Sequence, residues 1–467
     1  MMTTAGSAMA RIIFVLRRAH FSYHRSTVEA LARHGVELRL FVDGADDEIG
    51  GAQSDAFTEW KRARPEIPQH PLPLRRDLLR RPLMFFRELR SYNNYCNRPD
   101  DFEYYRDRWS YCMKLKPSVR QWLASPQGRE FAGSGLVRKI TTAVEALAPS
   151  SRVIKNWLRR ENPAIVVVTP GNLRHSEDIE VLKAAKALGI KTVVPILSWD
   201  NTSTKGLFHI QPNLFLTWND AHREELIKYH GASADRIRIT GSPFFDKWFD
   251  IVAPPTSREA FLPRVGLDPQ RPFVLYLGSS SNIAKDETWF IRELRQAFAG
   301  HANERLRAMQ ILFRPHPANW QIGIPLAEAG IPMWPPVGAL PDTDAALGDF
   351  RNSMEHAACV VGINTSGMLD AIIYGKPVIT PLIQHYQYTQ ARAEHFNRMR
   401  EENAIYVAED ADAVVRRVSE VLEAKDPLAA NRRAFTRRFV RPRSVTAGEA
   451  QADEILSLLS YKTPRRS

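Results

Sequence analysis

Cysteine is scarce in this chain: Cys96, Cys112 and Cys359 are all that its 467 residues hold. They are odd in number and lie at no metal-ligand spacing, which excludes a disulfide scaffold and a cysteine-clustered metal site. Reduced thiols in a cytosolic protein are expected. Long apolar runs are lacking too, since IIFVL at residues 12–16 is too short for a signal-peptide core or a spanning helix. The opening MMTTAGSAMA has no basic n-region, so no leader is expected. No repeat of fixed period and no low-complexity tract occurs, which sets aside solenoids and collagen-like arrays. Acidic residues are in deficit, 52 against 64 Lys and Arg, and the resulting net charge of +12 favours anionic partners: nucleotides, nucleic acid or acidic lipid headgroups.

What is present is enough apolar material, 44% of the residues, to fill two cores. Residues 11–16 read as a strand, RRAHFSYHRSTVEALARHG as a loop and helix ending at Gly35, and VELRLFVD as the next strand. From about residue 46 to 150 the pattern breaks into charged, proline-spotted and aromatic stretches such as YNNYC and DFEYYRDRWSYCMKL, which read as inserted helices rather than sheet strands. Alternation returns with AIVVVT, a helix from about 176 to 188, KTVVPILS, LFLTWN, a helix through Tyr229 and RIRITG. A Pro- and charge-rich run is the linker candidate, and FVLYLGSSS opens a second series that continues through ILFRPHP, CVVGIN and PVITPL. The expected division is a first domain over 1–250 with its insert, a linker over 251–271, a second domain over 272–430, and a basic helical segment over 431–467 that can pack back on the first domain. The expected class is α/β with two doubly wound parallel sheets.

One tract carries the most chemical information. CVVGINTSGMLDAIIYGKPVIT, residues 359–380, reads as strand, polar turn, helix, Gly-x-Pro and strand. Asn364, Thr365, Ser366 and Gly367 are small polar residues whose backbone N–H groups can open a helix toward an anion, and Asp370 follows within that helix. Two more polar clusters follow apolar strands: Ser279, Ser280 and Ser281 after VLYLG, and Arg314 and His316 in RPHP after ILF. Parallel-sheet geometry gathers such strand ends into one crevice. A cation, an imidazole and two hydroxyl- and amide-rich turns there make a diphosphate site that needs no metal. The plainer alternatives are an ordinary crossover turn and a structural histidine between prolines.

These motifs resemble a family. The second half is similar to the donor domain of GT-B glycosyltransferases and of the CDP-glycerol glycerophosphotransferases that share their fold. The Arg-Pro-His-Pro segment resembles the His-Pro motif of bacterial sialyltransferases and glycerophosphotransferases, which implies that His316 contacts the nucleotide phosphate. The run from Asp370 to Pro377 resembles the acidic-x4-Gly-x-Pro pattern in which the acidic residue holds the ribose, here an aspartate in place of the usual glutamate. In the first half LSWDNTSTKG, LFLTWNDAHREELIKYHG and RIRITGSPFFD are similar to stretches of surface-polysaccharide glycosyltransferases. Where glycerophosphotransferases carry a His-Gly pair after the Trp, this chain has Asp200 and Asn201 after Trp199. The resemblance implies a GT-B fold with two Rossmann-like domains facing a cleft.

Asp200 is the first candidate for the base that deprotonates an acceptor hydroxyl, with capping of the Thr202-Ser203 turn as the structural alternative. His20 and His24 are the other candidates, because the cations Arg17, Arg18 and Arg25 around them favour the neutral imidazole a base needs. They can equally bind an acceptor phosphate or lie in a plain surface loop. The expected function is transfer of a sugar from a nucleotide-sugar donor to a carbohydrate, lipid-linked or small-molecule hydroxyl, in polysaccharide, glycolipid or glycosylated-metabolite synthesis, with no metal or other cofactor. CDP-alditol phosphotransfer and UDP-sugar 2-epimerisation are alternatives on the same fold. The non-enzymatic alternative is a basic protein on an anionic membrane, using RRDLLRRPLMFFRELR at residues 75–90 as an interfacial helix, although Pro82 interrupts it. Nucleic acid is disfavoured, since no base-stacking module, helix-turn-helix or zinc spacing appears. A cytoplasmic location, compatible with a peripheral place on the inner membrane face, completes the expectation.

Overall fold

The β-branched runs IIFVL, IVVV and VLYL form strands buried on both faces, as parallel sheets covered by helices require. The computed structural model describes residues 9–43, 48–49, 52–53, 56–99, 102–173, 177–249 and 254–460. The chain divides into two units, residues 1–46, 61–246 and 441–467 in unit 1, and residues 47–60 and 247–440 in unit 2. In chain order the strands are β1 (Arg11–Arg17), β2 (Glu37–Asp43), the short antiparallel pair β3 (Glu48–Ile49) and β4 (Ala52–Gln53), and β5 (Gln69–Pro71). They continue as β6 (Ile165–Val168), β7 (Lys191–Pro195), β8 (Leu214–Thr217) and β9 (Ile237–Ile239). The second series is β10 (Phe273–Leu277), β11 (Gln310–Arg314), β12 (Val360–Gly362), β13 (Val378–Pro381) and β14 (Tyr406–Ala408).

Unit 1 holds a seven-stranded parallel sheet in the order β5-β2-β1-β6-β7-β8-β9, and unit 2 a five-stranded one in the order β11-β10-β12-β13-β14. Each order reverses once, between β1 and β6 and between β10 and β12. The loops leaving the carboxyl ends part at such a switch point, which is where doubly wound sheets bind ligands. In unit 1 the register sets Phe14 beside Leu40 and Val167. In unit 2 Tyr276, Ile291, Phe313, Val361 and Val414 share one core.

The stretch expected as an all-helical insert contains β5, an edge strand whose three residues, Gln-His-Pro, are all exposed and so carry no alternation to read. Beyond it the helices Arg80–Cys96, Glu103–Cys112, Pro117–Ala124, Pro126–Gly133 and Gly135–Leu147 enclose a core that includes Tyr92, Tyr95, Tyr105, Trp109 and Leu123. Serines punctuate them: the side chains of Ser125 and Ser134 accept from the backbone N–H of Gly128 and Val137 at two successive helix starts.

The basic run at 75–90 is paired in part and exposed in part, with Arg76 and Arg81 on the surface. Arg75 is buried and donates to Glu180 at 2.9 Å and to Asp77 at 2.8 Å, Arg80 donates to Glu177 at 2.9 Å, and buried Arg87 donates to Glu145 at 2.6 Å. These three cations are consumed inside unit 1. Pro82 sits in the first turn of its helix, where a missing N–H is tolerated. In the expected linker, residues 251–253 lie outside the described residues, and a helix, Arg258–Arg264, buries Phe261 and Leu262. The start of the helix expected from about 176 is likewise outside them, and the helix is described over Asp178–Ala187. Among the described residues no helix is long and apolar enough to cross a membrane.

The last helix, Ala447–Ser460, lies on the helix Arg25–Arg33, where Thr27 Oγ1 donates to Gln451 Oε1 at 2.8 Å. Asp246 ties the start of that helix, accepting from the N–H groups of Ala447 at 2.9 Å and Gly448 at 2.8 Å and from Ser26 Oγ at 2.6 Å. A Cβ at Gly448 would meet the Ser26 backbone carbon at 2.6 Å. Gly448→Ala is therefore expected to lower the stability of unit 1 by about 1–3 kcal/mol through overpacking. An ordinary Gly-to-Ala change within a helix stabilises by ~1 kcal/mol, so the sign of the urea-midpoint shift checks the close approach.

Candidate functional site

In unit 2 the residues singled out from the sequence collect on the carboxyl edge of β11, β10 and β12. Gly278, which continues β10, donates its N–H to Arg314 O at 2.8 Å, and a Cβ on Gly278 would stand 3.0 Å from the His316 nitrogen. Glycine thus lets the β10 and β11 loops touch. Across the switch point Ser279 Oγ accepts from the Asn364 N–H at 3.4 Å. Ser280 O accepts from the N–H groups of Ile283 and Ala284, which closes the turn, while Ser281 is exposed.

Arg314 is the unusual member of this group. Its side chain is buried, lies 4.5 Å over the Phe350 ring, and has no side-chain hydrogen bond among the described residues; its Nη1 is sealed without a partner. Burial brings its pKa down to about 10, with Asp349 and Asp370 opposing that fall. A buried cation lacking a hydrogen-bonded carboxylate is costly unless an anion arrives. Asn364 is also buried, and its Nδ2 has no partner among the described residues. These two orphaned donors stand on the same sheet edge.

His316 accepts from the Ala318 N–H at 3.1 Å through Nδ1, so it caps the turn that begins at Pro317, and its partial burial lowers the imidazole's pKa. Thr365, Ser366 and Gly367 lead into the helix Gly367–Ile373, where Thr365 O and Ser366 O already accept from Met368 and Leu369. Asp370 is buried: Trp248 Nε1 donates to its Oδ1 at 2.6 Å, and Lys247 Nζ lies 3.5 Å away. Burial raises its pKa, with Lys247 and Trp248 pulling the other way.

Sequence reasoning missed Lys247 and Trp248, which stand in the FFDKWFD run just before the linker candidate. It also missed Glu287, whose carboxylate accepts from the Ser279 N–H and from Tyr276 OH at 3.1 Å. Glu287 is fully buried, and burial pushes its pKa up to about 7 against those two hydrogen bonds. Nothing in KDETWF distinguishes that glutamate from a surface residue before the fold is known.

In unit 1 the candidates lie beyond the carboxyl ends of β1 and β7. His24 is sealed in the core, its Nε2 2.8 Å from Thr169 Oγ1 beyond β6. Burial, with a smaller contribution from His20, takes its pKa down to about 3. That site suits a structural histidine spanning the switch point rather than one that meets a substrate. His20 is partly exposed and is also lowered to about 3, by burial first and then by Arg17 and Lys205. Desolvation is the larger cause in both rings, and the expected effect of neighbouring cations adds to it at His20.

Asp200 is partly exposed and well held. Its Oδ1 accepts from Ser198 Oγ at 2.7 Å, its Oδ2 accepts from Thr204 Oγ1 at 2.6 Å, and Lys205 Nζ stands 3.2 Å from Oδ2. Its side chain does not cap the Thr202-Ser203 turn; it anchors one helical turn further on, at Thr204. Neighbouring Asn201 is fully buried and donates to Asn172 Oδ1 at 2.9 Å, which fixes the β6 loop to the β7 loop.

No protein-family model matches the chain, and a search of curated proteins returns no match. Solved structures do match. MnaA of S. aureus in its UDP co-structure aligns with a TM-score of 0.53 at 12% identity, over 98% of this chain and 100% of that one. UDP-GlcNAc 2-epimerase from Methanocaldococcus jannaschii aligns with a TM-score of 0.51 at 15% identity, over 97% and 100%. A glycosyltransferase from Rickettsia africae aligns with a TM-score of 0.52 at 9% identity, again over 97% and 100%. At such identities the likeness concerns the fold, and the chain has a GT-B-like, glycosyltransferase-type fold of two Rossmann-like domains.

Proposed function

We propose that this chain is a glycosyltransferase that moves a sugar from a nucleotide donor, bound by unit 2, to an acceptor hydroxyl, bound by unit 1. The observation that carries the reading is Arg314, a buried guanidinium without a hydrogen-bond partner among the described residues, beside the orphaned amide of Asn364. A diphosphate supplies the missing negative charge. Ser279, Ser280, Ser281, His316 and the Thr365-Ser366-Gly367 turn complete the donor contacts, and Asp370 remains the candidate for the ribose through its second oxygen. The solved structures that share the fold include a UDP co-structure and a glycosyltransferase, which supports a nucleotide-sugar ligand.

In this reading the acceptor oxygen forms the new bond to the anomeric carbon, and the bond from that carbon to the diphosphate breaks. The nucleoside diphosphate leaves with the electron pair, stabilised by Arg314 as its charge grows. Asp200 takes the acceptor proton, with Lys205 and the hydroxyls of Ser198 and Thr204 holding its carboxylate in place. The protein's own cation and amides do the work that a divalent ion does elsewhere, so the reaction runs in EDTA.

The test is thermal stabilisation by UDP, GDP, CDP, CMP and dTDP with EDTA present, followed by product analysis with the nucleotide sugar of the best binder. A ligand at a hundred times its Kd stabilises by about 2.7 kcal/mol. One nucleoside diphosphate is expected to raise Tm clearly, and Asp200→Asn is expected to keep that shift while losing transfer. A product that retains the nucleotide but carries an epimerised sugar would replace the transferase reading with the epimerase one. No shift with any nucleotide would sink both.

A further inference from the structure

We propose that the helical insert of unit 1 docks on an anionic lipid surface through an apolar face that its own fold leaves uncovered. The helix Gly135–Leu147 turns Val137, Thr141 and Glu145 inward, as an amphipathic helix should. One flank beside that face is apolar again: Leu136 is 64% exposed, Ile140 46% and Leu147 84%. These positions recur at spacings of four and seven, so they form one stripe. The two preceding helices add Trp122 and Phe131, about half exposed, with their rings 5.4 Å apart.

Scattered exposed leucines need no explanation, but a stripe that follows an exposed aromatic pair on the two preceding helices does. The charge around it selects the occupant. Residues 114–140 carry six Lys or Arg and a single acid, Glu130. Lys114, Lys116, Arg138 and Lys139 are exposed, whereas Arg129 is paired with Asp107. Apolar and aromatic side chains flanked by lysines and arginines, with almost no acids, match the headgroup region of an anionic bilayer. In the run at 75–90, Arg75, Arg80 and Arg87 pair with Glu180, Glu177 and Glu145, while Arg76, Arg81 and Leu78 stay exposed.

Co-sedimentation of the full chain with phosphatidylglycerol–phosphatidylcholine vesicles and with pure phosphatidylcholine vesicles tests this. The chain is expected to sediment with the anionic vesicles, far less with the neutral ones, and less in high salt. The quadruple change Trp122→Ser, Phe131→Ser, Leu136→Ser and Ile140→Ser acts on side chains that are about half or more exposed; a cooperative melting transition is expected to persist at a lowered Tm, while the lipid needed for half-binding at a temperature where the variant is folded rises at least about tenfold. Lys114→Glu, Lys116→Glu, Arg138→Glu and Lys139→Glu together should abolish the preference for anionic lipid. A wild-type chain that stays in the supernatant, or variants that sediment like it, overturns the proposal. Self-association of the wild type that the serine variant loses, without vesicle binding, overturns it in favour of a second copy of the chain on this face.

Discussion

Arg314→Met is expected to weaken nucleoside-diphosphate binding by about a hundredfold, close to 3 kcal/mol, while leaving Tm equal to or above that of the unmodified chain. The two effects have one cause. A guanidinium buried over Phe350 without a hydrogen-bond partner among the described residues costs stability in the free protein. A thioether of similar length fills the space without that cost. If Arg314 were only structural, the substitution would lower stability and leave nucleotide affinity alone, so titration calorimetry together with a melting curve separates the two roles. Arg314→Lys keeps the charge but loses the planar fork, and intermediate affinity is expected.

The second large effect falls far from the candidate site. Glu145→Gln is expected to cost unit 1 about 3 kcal/mol near neutral pH, because it leaves buried Arg87 with Glu180 alone and partly buried Lys183 without the carboxylate that both contact. Burial pushes this carboxyl up, but Arg87 and Lys183 outweigh that and bring it from 4.5 down to about 2. A carboxyl lowered on folding stabilises above its unfolded value, and that contribution is lost as pH falls from about 4.5 toward 2. The wild-type chain should therefore lose about 3 kcal/mol from this group across that window, and Glu145→Gln should lose little there. Urea melts of both proteins across the acid range check the difference. Parallel curves would remove Glu145 from the account of acid sensitivity.

The two sheets were legible because their strands are runs such as IIFVL and VLYL, whose burial on both faces leaves no polar residue to confuse the period. The strands at the rims were not. β5 is three exposed residues ending in proline, and β14 shows one alternation, with Val407 outward between buried Tyr406 and Ala408. At the candidate site the loops that leave β10, β11 and β12 could be read, since each apolar run ends abruptly in small polar residues. What those loops rest on could not. Glu287 reaches the Ser279 amide across a loop, and Lys247 reaches Asp370 from far along the chain. Such pairings depend on the path of the fold, and no spacing in the sequence encodes them. The run at 75–90 shows the converse: its charge was plain, but whether its arginines faced water or Glu145 and Glu180 was set by helices packed much later in the chain.

The way residues 441–460 return to unit 1 governs the order in which the chain can finish folding. The face of the helix Arg25–Arg33 that receives Gln451 and Gly448 exists as soon as unit 1's early strands form, yet its cover is the last helix made. Synthesis of residues 247–440 takes roughly 10 to 40 s at 5–20 residues per second. Throughout that interval Asp246 lacks the amides of Ala447 and Gly448, and Thr27 lacks Gln451. Unit 2 can close on the ribosome while its predecessor in the chain waits with an open seam, so a nascent chain stopped before residue 441 would display a finished second unit and an unfinished first.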